Sequence, residues 1–302
     1  MNAPDYLFER EPARHALVVA NADYKHLGPL HSATLDAKGI ARCLAQLGFT
    51  ITLVPRLPSV RAFEDDVLPE FRKSIQRGDM VVFYFSGHGF AYGPHNYIAP
   101  ADLPLAVDDN TIAANAIAVE GIEDYFARQS PGVVLMLIDA CRTIAGFVIK
   151  DSGHRDLAGS RATRQVGSPE RINIVEAYAA RAGSAALASN AGATLSPFTK
   201  SLCAHIAIGG AELSVMLREV AADTLLATNQ SQSPGVVSWA ACDVYLNPGE
   251  AIRAQEREAW LEALSAKSSD EVERFAYRHA LSRHAAAARQ WLENGERESN
   301  PH

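Results

Sequence analysis

The chain has 302 residues, of which 48% are hydrophobic and 21% charged, an ordinary globular composition that can bury a sizeable core as one large domain or one domain with an appendage. A formal net charge of −7 argues against a dedicated nucleic-acid surface, and no apolar run approaches the roughly 18 residues that would span a bilayer. The opening "MNAPDYLFEREPARHALVVA" has acids and prolines where a secretory signal would be apolar, and Cys43, Cys141, Cys203 and Cys242 form no CxxC pair. These features fit a reducing cytoplasm, without a disulfide framework or a zinc knuckle.

In chain order, "HALVVA" predicts a strand, residues 32–47 a helix with apolar positions at helical spacing, and "FTITLV" a second strand. Residues 60–75 read as a helix and "MVVFYFS" as a strand. The helix 119–126 then leads into the strand "VVLMLIDA". Beyond these come "INIVEAYAA" as a strand, "SPFTKSLCAHIAI" and "AELSVMLREVAADTLL" as helices, and a last strand near "PGVVSWAA". Fully apolar strands separated by helices predict an α/β fold in three layers, a mostly parallel sheet covered on both faces. Functional groups in such sheets gather beyond the carboxyl ends of the strands.

Two stretches break this rhythm. Residues 150–171, "KDSGHRDLAGSRATRQVGSPER" from Lys150 onward, are polar and without period, as a functional or mobile connection would be. Residues 248–302 read as two amphipathic helices forming an α-hairpin. "SSDEVE" supplies a Ser cap and first-turn acids, and Trp260, Leu264, Phe275 and Trp291 supply the apolar face. The expected organisation is an extension over 1–13, a catalytic domain over 14–247 and a helical appendage over 248–302.

"FYFSGHGF" ends a hydrophobic strand on a single histidine, His88, set between two glycines. Fifty-three residues on, "LMLIDACRT" ends another apolar strand at Cys141. Adjacent parallel strands would bring the two together. The imidazole would then serve as base or would stabilise a thiolate that attacks a carbonyl, and afterwards protonate the leaving amine. The amides of Gly89 and Cys141 would face the developing oxyanion. The other three cysteines read as packing residues.

These motifs resemble the caspase-like cysteine peptidases, which include caspases, paracaspases and metacaspases with their bacterial relatives. "YFSGHGF" is similar to the family's histidine motif and "LIDACR" to its cysteine motif. "ALVVANADY" with "LHSATLDAKGIARCLAQLGF" is similar to its first strand and helix. "IVEAYAARAGSAAL" and "SPFTKSLCAHI" resemble its cleft-lining strand and the helix that follows, so the likeness runs from Arg14 to Leu246. It implies a caspase-like fold and a cysteine endopeptidase with a His88–Cys141 dyad. Aspartate-cutting members carry Gln two residues before the nucleophile and arginines in the pocket for P1, the residue before the scissile bond. Here those positions are Asp139, Leu30 and Ala188.

In paracaspases and metacaspases an acid at the position of Asp139, with another matching Asp36, lines a pocket for Arg or Lys. A buried carboxylate pair calls for a cation, which implies cleavage after Arg and then Lys. The resemblance also raises self-cleavage within 150–171 and leaves calcium dependence open. Glu64, Asp65 and Asp66, and residues 107–110, are the tight acidic groups, and neither has the alternating ligand spacing of an EF-hand. The expected partner is a peptide with a basic P1 residue, with a regulator or self-association through the C-terminal helices. A non-catalytic scaffold of the same fold, and another thiol-dependent acyl transfer, remain open alternatives from sequence.

Overall fold

The computed structural model describes residues 11–108, 111–141, 147–150, 173–180 and 194–299. Segment 151–171 and Ala188 lie outside the described residues. A six-stranded sheet runs in the order β11-β10-β8-β3-β1-β2. Its strands are β1 (Arg14–Ala20), β2 (Thr50–Val54), β3 (Met80–Gly87), β8 (Val133–Ala140), β10 (Ile174–Tyr178) and β11 (Gly235–Ser238). All neighbours are parallel except β10 and β11.

Every residue of β3 and β8 is buried, as strands covered on both sides must be. Period-2 alternation splits the core into two layers. Ala16, Val18, Met80, Val82, Tyr84, Leu135 and Leu137 point to one face, where they meet α1 (Ala33–Gln46), α6 (Pro197–His205) and α7 (Leu213–Ala227). Leu17, Val19, Val81, Phe83, Phe85, Met136 and Ile138 point to the other. That face is covered by α2 (Val60–Ala62), a π-helical turn Phe63–Val67, α3 (Leu68–Arg72) and α5 (Val119–Ala127). The single helix expected over 60–75 is interrupted at this turn. Pro69 has no N–H to donate to the carbonyl of Asp65, and the ladder widens there.

Between β3 and α5 lies a segment that periodicity did not resolve. β4 (Gly89–Tyr92), β5 (His95–Ile98) and β7 (Ile117–Ala118) form a small antiparallel sheet. β6 (Ala106–Asp108) pairs in parallel with β9 (Val148–Lys150), and the short helix α4 (Ile112–Asn115) connects β6 to β7.

The C-terminal segment forms three helices where two were expected: α8 (Gly249–Ala266), α9 (Ser269–Arg278) and α10 (Ala285–Ser299). Trp260, Phe275, Leu264 and Trp291 do form their common core. The second expected helix breaks over residues 279–284, where Leu281 leaves the bundle to pack on the main core. At Gly132 a Cβ would stand 3.1 Å from the Ala280 carbonyl oxygen, so the break seats against the start of β8. Ser268 occupies the cap position of α9, but its side chain makes no cap hydrogen bond. The first-turn acids Asp270 and Glu271 remain as expected. Arg77 pairs with Glu293 at 3.0 Å, and Arg283 with Glu11 at 2.7 Å. The three helices therefore cover the amino ends of the central strands. Among the described residues no helix is long and apolar enough to cross a membrane.

Candidate active site

Parallel register aligns β3 and β8 residue for residue, with Ser86 opposite Asp139 and Gly87 opposite Ala140. His88 and Cys141 are each the next residue, so the two emerge side by side at the carboxyl edge of the sheet. Both are half-buried.

His88 is fixed from three directions. Its backbone N–H donates to the Tyr24 hydroxyl at 2.7 Å, and the Tyr24 ring lies 4.6 Å from the imidazole. Its carbonyl accepts from Ala99 N–H at 2.9 Å. Its Nε2 lies 2.8 Å from the carbonyl of Gly28. A carbonyl only accepts, so this contact places the ring proton on Nε2 and leaves the Nδ1 lone pair as the base. Burial lowers the imidazole pKa, against the opposing pull of the Gly28 carbonyl, which favours the neutral basic form at pH 7.

The glycines flanking His88 are sites of close approach. A Cβ on Gly87 would stand 2.6 Å from the Tyr24 hydroxyl. One on Gly89 would stand 2.9 Å from the Tyr97 carbonyl oxygen and 3.0 Å from that of Cys141. Gly89 is thus packed directly beside the Cys141 backbone.

Next to Cys141 opens a small cleft lined by Leu30, Ser32, Asp36, Ser86, Asp139 and Ser196 among others. Leu30, aligned by the sequence with a pocket arginine, does reach this cleft. Asp139 has the parity of Leu137, so it projects toward the α1 and α6 side of the sheet. Asp36, in the first turn of α1, comes to meet it. The two are 6% and 1% exposed, a deeply buried carboxylate pair.

Their hydrogen bonds are shared out among neighbours. Asp36 accepts from Ser196 N–H at 2.7 Å and from the Ser86 hydroxyl at 3.2 Å. Asp139 Oδ2 accepts from the Ser196 hydroxyl, from Thr199 Oγ1 at 2.6 Å and from the Tyr84 hydroxyl at 3.5 Å. Burial, and secondarily the charge of Asp139, pushes Asp36 up to about 7. Burial likewise raises Asp139, opposed by its three hydroxyl donors. The arrangement sets two carboxyl groups, both pushed by burial toward their protonated forms, in a cleft beside a thiol and an imidazole.

Five residues singled out in the sequence, His88, Gly89, Cys141, Asp36 and Asp139, thus gather at one edge of the sheet. Tyr24, Gly28, Tyr84, Ser86, Ser196 and Thr199 were not foreseen. Ser86 and Tyr84 share the strand parity of Asp139 across the register, a usable signal. Ser196 and Thr199 begin α6 in "SPFT", which reads only as a helix cap. Tyr24 and Gly28 lie in an irregular connection without any pattern.

Cys43 and Cys203 pack against the α1 and α6 core as expected, and burial pushes the Cys242 thiol up to about 12. No group of three or more His, Cys, Asp or Glu that could hold a metal ion occurs among the described residues. Glu64, Asp65 and Asp66 are exposed on the π-helical turn, with Asp65 paired to Arg61 at 3.1 Å, and Asp108 is engaged by Thr111.

Residues 13–245 match the model of the caspase domain family. The human mucosa-associated lymphoid tissue lymphoma translocation protein 1 is 23% identical over 127 residues, 42% of this chain and 15% of that protein. Its mouse homologue is 23% identical over the same length, 14% of its own chain. The present chain therefore spans only a small part of the curated relatives it matches. Among solved structures, the crystal structure of caspase-1 from Spodoptera frugiperda superposes with a TM-score of 0.55 at 15% identity. The match covers 82% of this chain and 97% of that one.

Proposed function

The chain belongs to the caspase domain family of cysteine peptidases, and from that premise we propose that it is an endopeptidase cutting peptide bonds after Arg, and less readily Lys. The observation that carries the basic preference is the buried Asp36 and Asp139 pair in the cleft beside Cys141. Two carboxylates so removed from water are costly unless a cation completes the site, and a guanidinium does so with geometry suited to two acceptors.

In the proposed reaction, His88 Nδ1 takes the Cys141 proton and the sulfur attacks the P1 carbonyl carbon. The resulting oxyanion is stabilised by the N–H groups of Gly89 and Cys141. As the intermediate collapses, the imidazolium gives its proton to the leaving amine and the C–N bond breaks, leaving a thioester. His88 then deprotonates a water that attacks the thioester, the C–S bond breaks, and the thiol is restored with release of the carboxylic acid.

Hydrolysis of fluorogenic peptides ending in Arg, Lys or Asp, with and without calcium, tests this in the native chain, Cys141→Ala and Asp139→Asn. Turnover of the Arg peptide that disappears in Cys141→Ala and collapses in Asp139→Asn is the expected result. Turnover of the Asp peptide would retain the peptidase and reject the pocket. Self-cleavage within 150–171 belongs to the same proposal, and an intact mass after prolonged turnover would reject it.

A further inference from the structure

The two carboxylates of the cleft come from different elements, Asp36 from α1 and Asp139 from the end of β8. Among the described residues, one hydrogen-bonds to both side chains. Ser196, at the N-cap of α6 and 2% exposed, donates its backbone N–H to Asp36 Oδ1 at 2.7 Å and its hydroxyl proton to Asp139 Oδ2. Its Oγ also accepts from Thr199 N–H at 3.0 Å, so the cap and the bridge use one atom. Thr199 and Tyr84 complete the set: the Tyr84 hydroxyl and Thr199 Oγ1 lie 2.6 Å apart, and Thr199 Oγ1 donates to the same Oδ2. The Ser196 and Thr199 hydroxyls, and at 3.5 Å that of Tyr84, all approach Asp139 Oδ2, and among the described residues no donor reaches its Oδ1.

We infer that Ser196 is the positioning residue of this pocket: it holds both carboxylates at once and turns Oδ1 of Asp139 toward the cleft, where a substrate cation would meet it. The inference rests on the basic P1 reading for the identity of that cation. The chemistry favours it on two grounds. A carboxylate whose inner oxygen is saturated by hydroxyl donors has its remaining lone pairs aimed outward, ready for a guanidinium or ammonium group. Burial raises Asp139, and the Ser196 hydroxyl leads the groups that oppose the rise, ahead of Thr199 and Tyr84. The other titratable groups facing the pair are Tyr84 on β3 and the thiols of Cys141 at the end of β8 and Cys203 on α6.

Ser196→Gly removes the bridge at small cost to the helix. The Thr199 N–H to Oγ cap bond goes with the hydroxyl bond to Asp139, but glycine is itself tolerated at an N-cap at little cost, and the N–H to Asp36 is kept. With the native chain and an Arg peptide, the variant should raise KM about tenfold or more, the loss expected of one hydrogen bond to a charged acceptor, with kcat little changed. Ser196→Thr, which keeps the hydroxyl, should restore it. The second readout does not depend on turnover. In the full chain labelled with ¹³C at aspartate carboxyls, the Asp139 resonance, assigned by its loss in Asp139→Asn, should titrate at higher pH in Ser196→Gly. An unchanged KM in a chain that cuts the Arg peptide overturns the inference, whatever the titration shows. If the native chain never cuts that peptide, the basic P1 reading fails by itself and the titration alone decides Ser196: an upward shift sustains its hold on Asp139, and an unmoved midpoint reduces it to a helix cap.

Discussion

Tyr24 holds His88 by two different contacts, its hydroxyl accepting the histidine N–H at 2.7 Å and its ring lying 4.6 Å from the imidazole. Tyr24→Phe would keep the ring and remove the acceptor. A buried N–H left without a partner costs about 1–3 kcal/mol, and the imidazole loses one of its fixed points. We expect kcat on the Arg peptide to fall about tenfold with KM unchanged, since the pocket proposed to take the substrate cation is lined by Asp36 and Asp139 and not by Tyr24. Steady-state kinetics check this. A raised KM with kcat intact would assign Tyr24 to substrate binding.

Gly89→Ala would push a methyl group to within about 3 Å of two carbonyl oxygens, those of Tyr97 and Cys141. Neither is a flexible side-chain end, so the strand must shift. The expected cost is about 1–3 kcal/mol of stability, with a larger proportional loss of kcat, because the displaced N–H is the proposed oxyanion donor. Urea unfolding beside kinetics separates the two effects. Loss of stability with full activity would remove Gly89 from the oxyanion site.

Asp36, raised from 3.8 to about 7 by burial and by Asp139, gives the pocket a pH dependence. Its proton competes with a substrate cation, so KM for an Arg peptide should fall as pH rises through about 7, and Asp36→Asn should flatten that limb. The stability sign follows from the same shift. Between pH 4 and 7 the folded chain holds a proton that the unfolded chain has lost, so stability declines as pH rises across that window. Unfolding midpoints of the native chain and Asp36→Asn at pH 5 and pH 8 should diverge accordingly, the native chain losing more on going to pH 8.

Trp260 is 2% exposed, with its ring centre 5.1 Å from that of Phe275. Trp260→Ala should destabilise the α8–α10 bundle by about 3–5 kcal/mol. Removal of everything beyond Pro248 should lower the unfolding temperature of the remainder, because it uncovers Gly78 and Gly132 at the amino edge of the sheet. Differential scanning calorimetry of both variants tests this. A truncated chain as stable as the native one would show that the contacts at Gly132 contribute little.

The central strands were legible because their signal is a continuous apolar run, which depends on burial on both faces and on nothing distant. The ends of β3 and β8 were legible for a related reason, since an apolar run that stops on "SGHG" or "DAC" changes character abruptly. The small sheet formed by β4, β5 and β7 was not, because strands of two to four residues are too short to display a period. The break in the C-terminal helices was also invisible. Residues 279–284 have no proline or glycine, and the turn is imposed by the docking of Leu281 on the main core, beside Gly132 at the start of β8. Ser196 was hidden by double use, since a serine before a helix is accounted for by capping alone.

The placement of α8–α10 has a mechanical corollary. The eight residues of β3 or β8, at about 3.3 Å each, put roughly 26 Å of fully buried strand between those helices and the cleft. A rigid, two-sided sheet is a poor relay for small displacements, yet it is a good standoff. Cargo or an immobilising surface attached through the helices would be carried clear of the cleft mouth, leaving an extended polypeptide free to approach from the opposite pole.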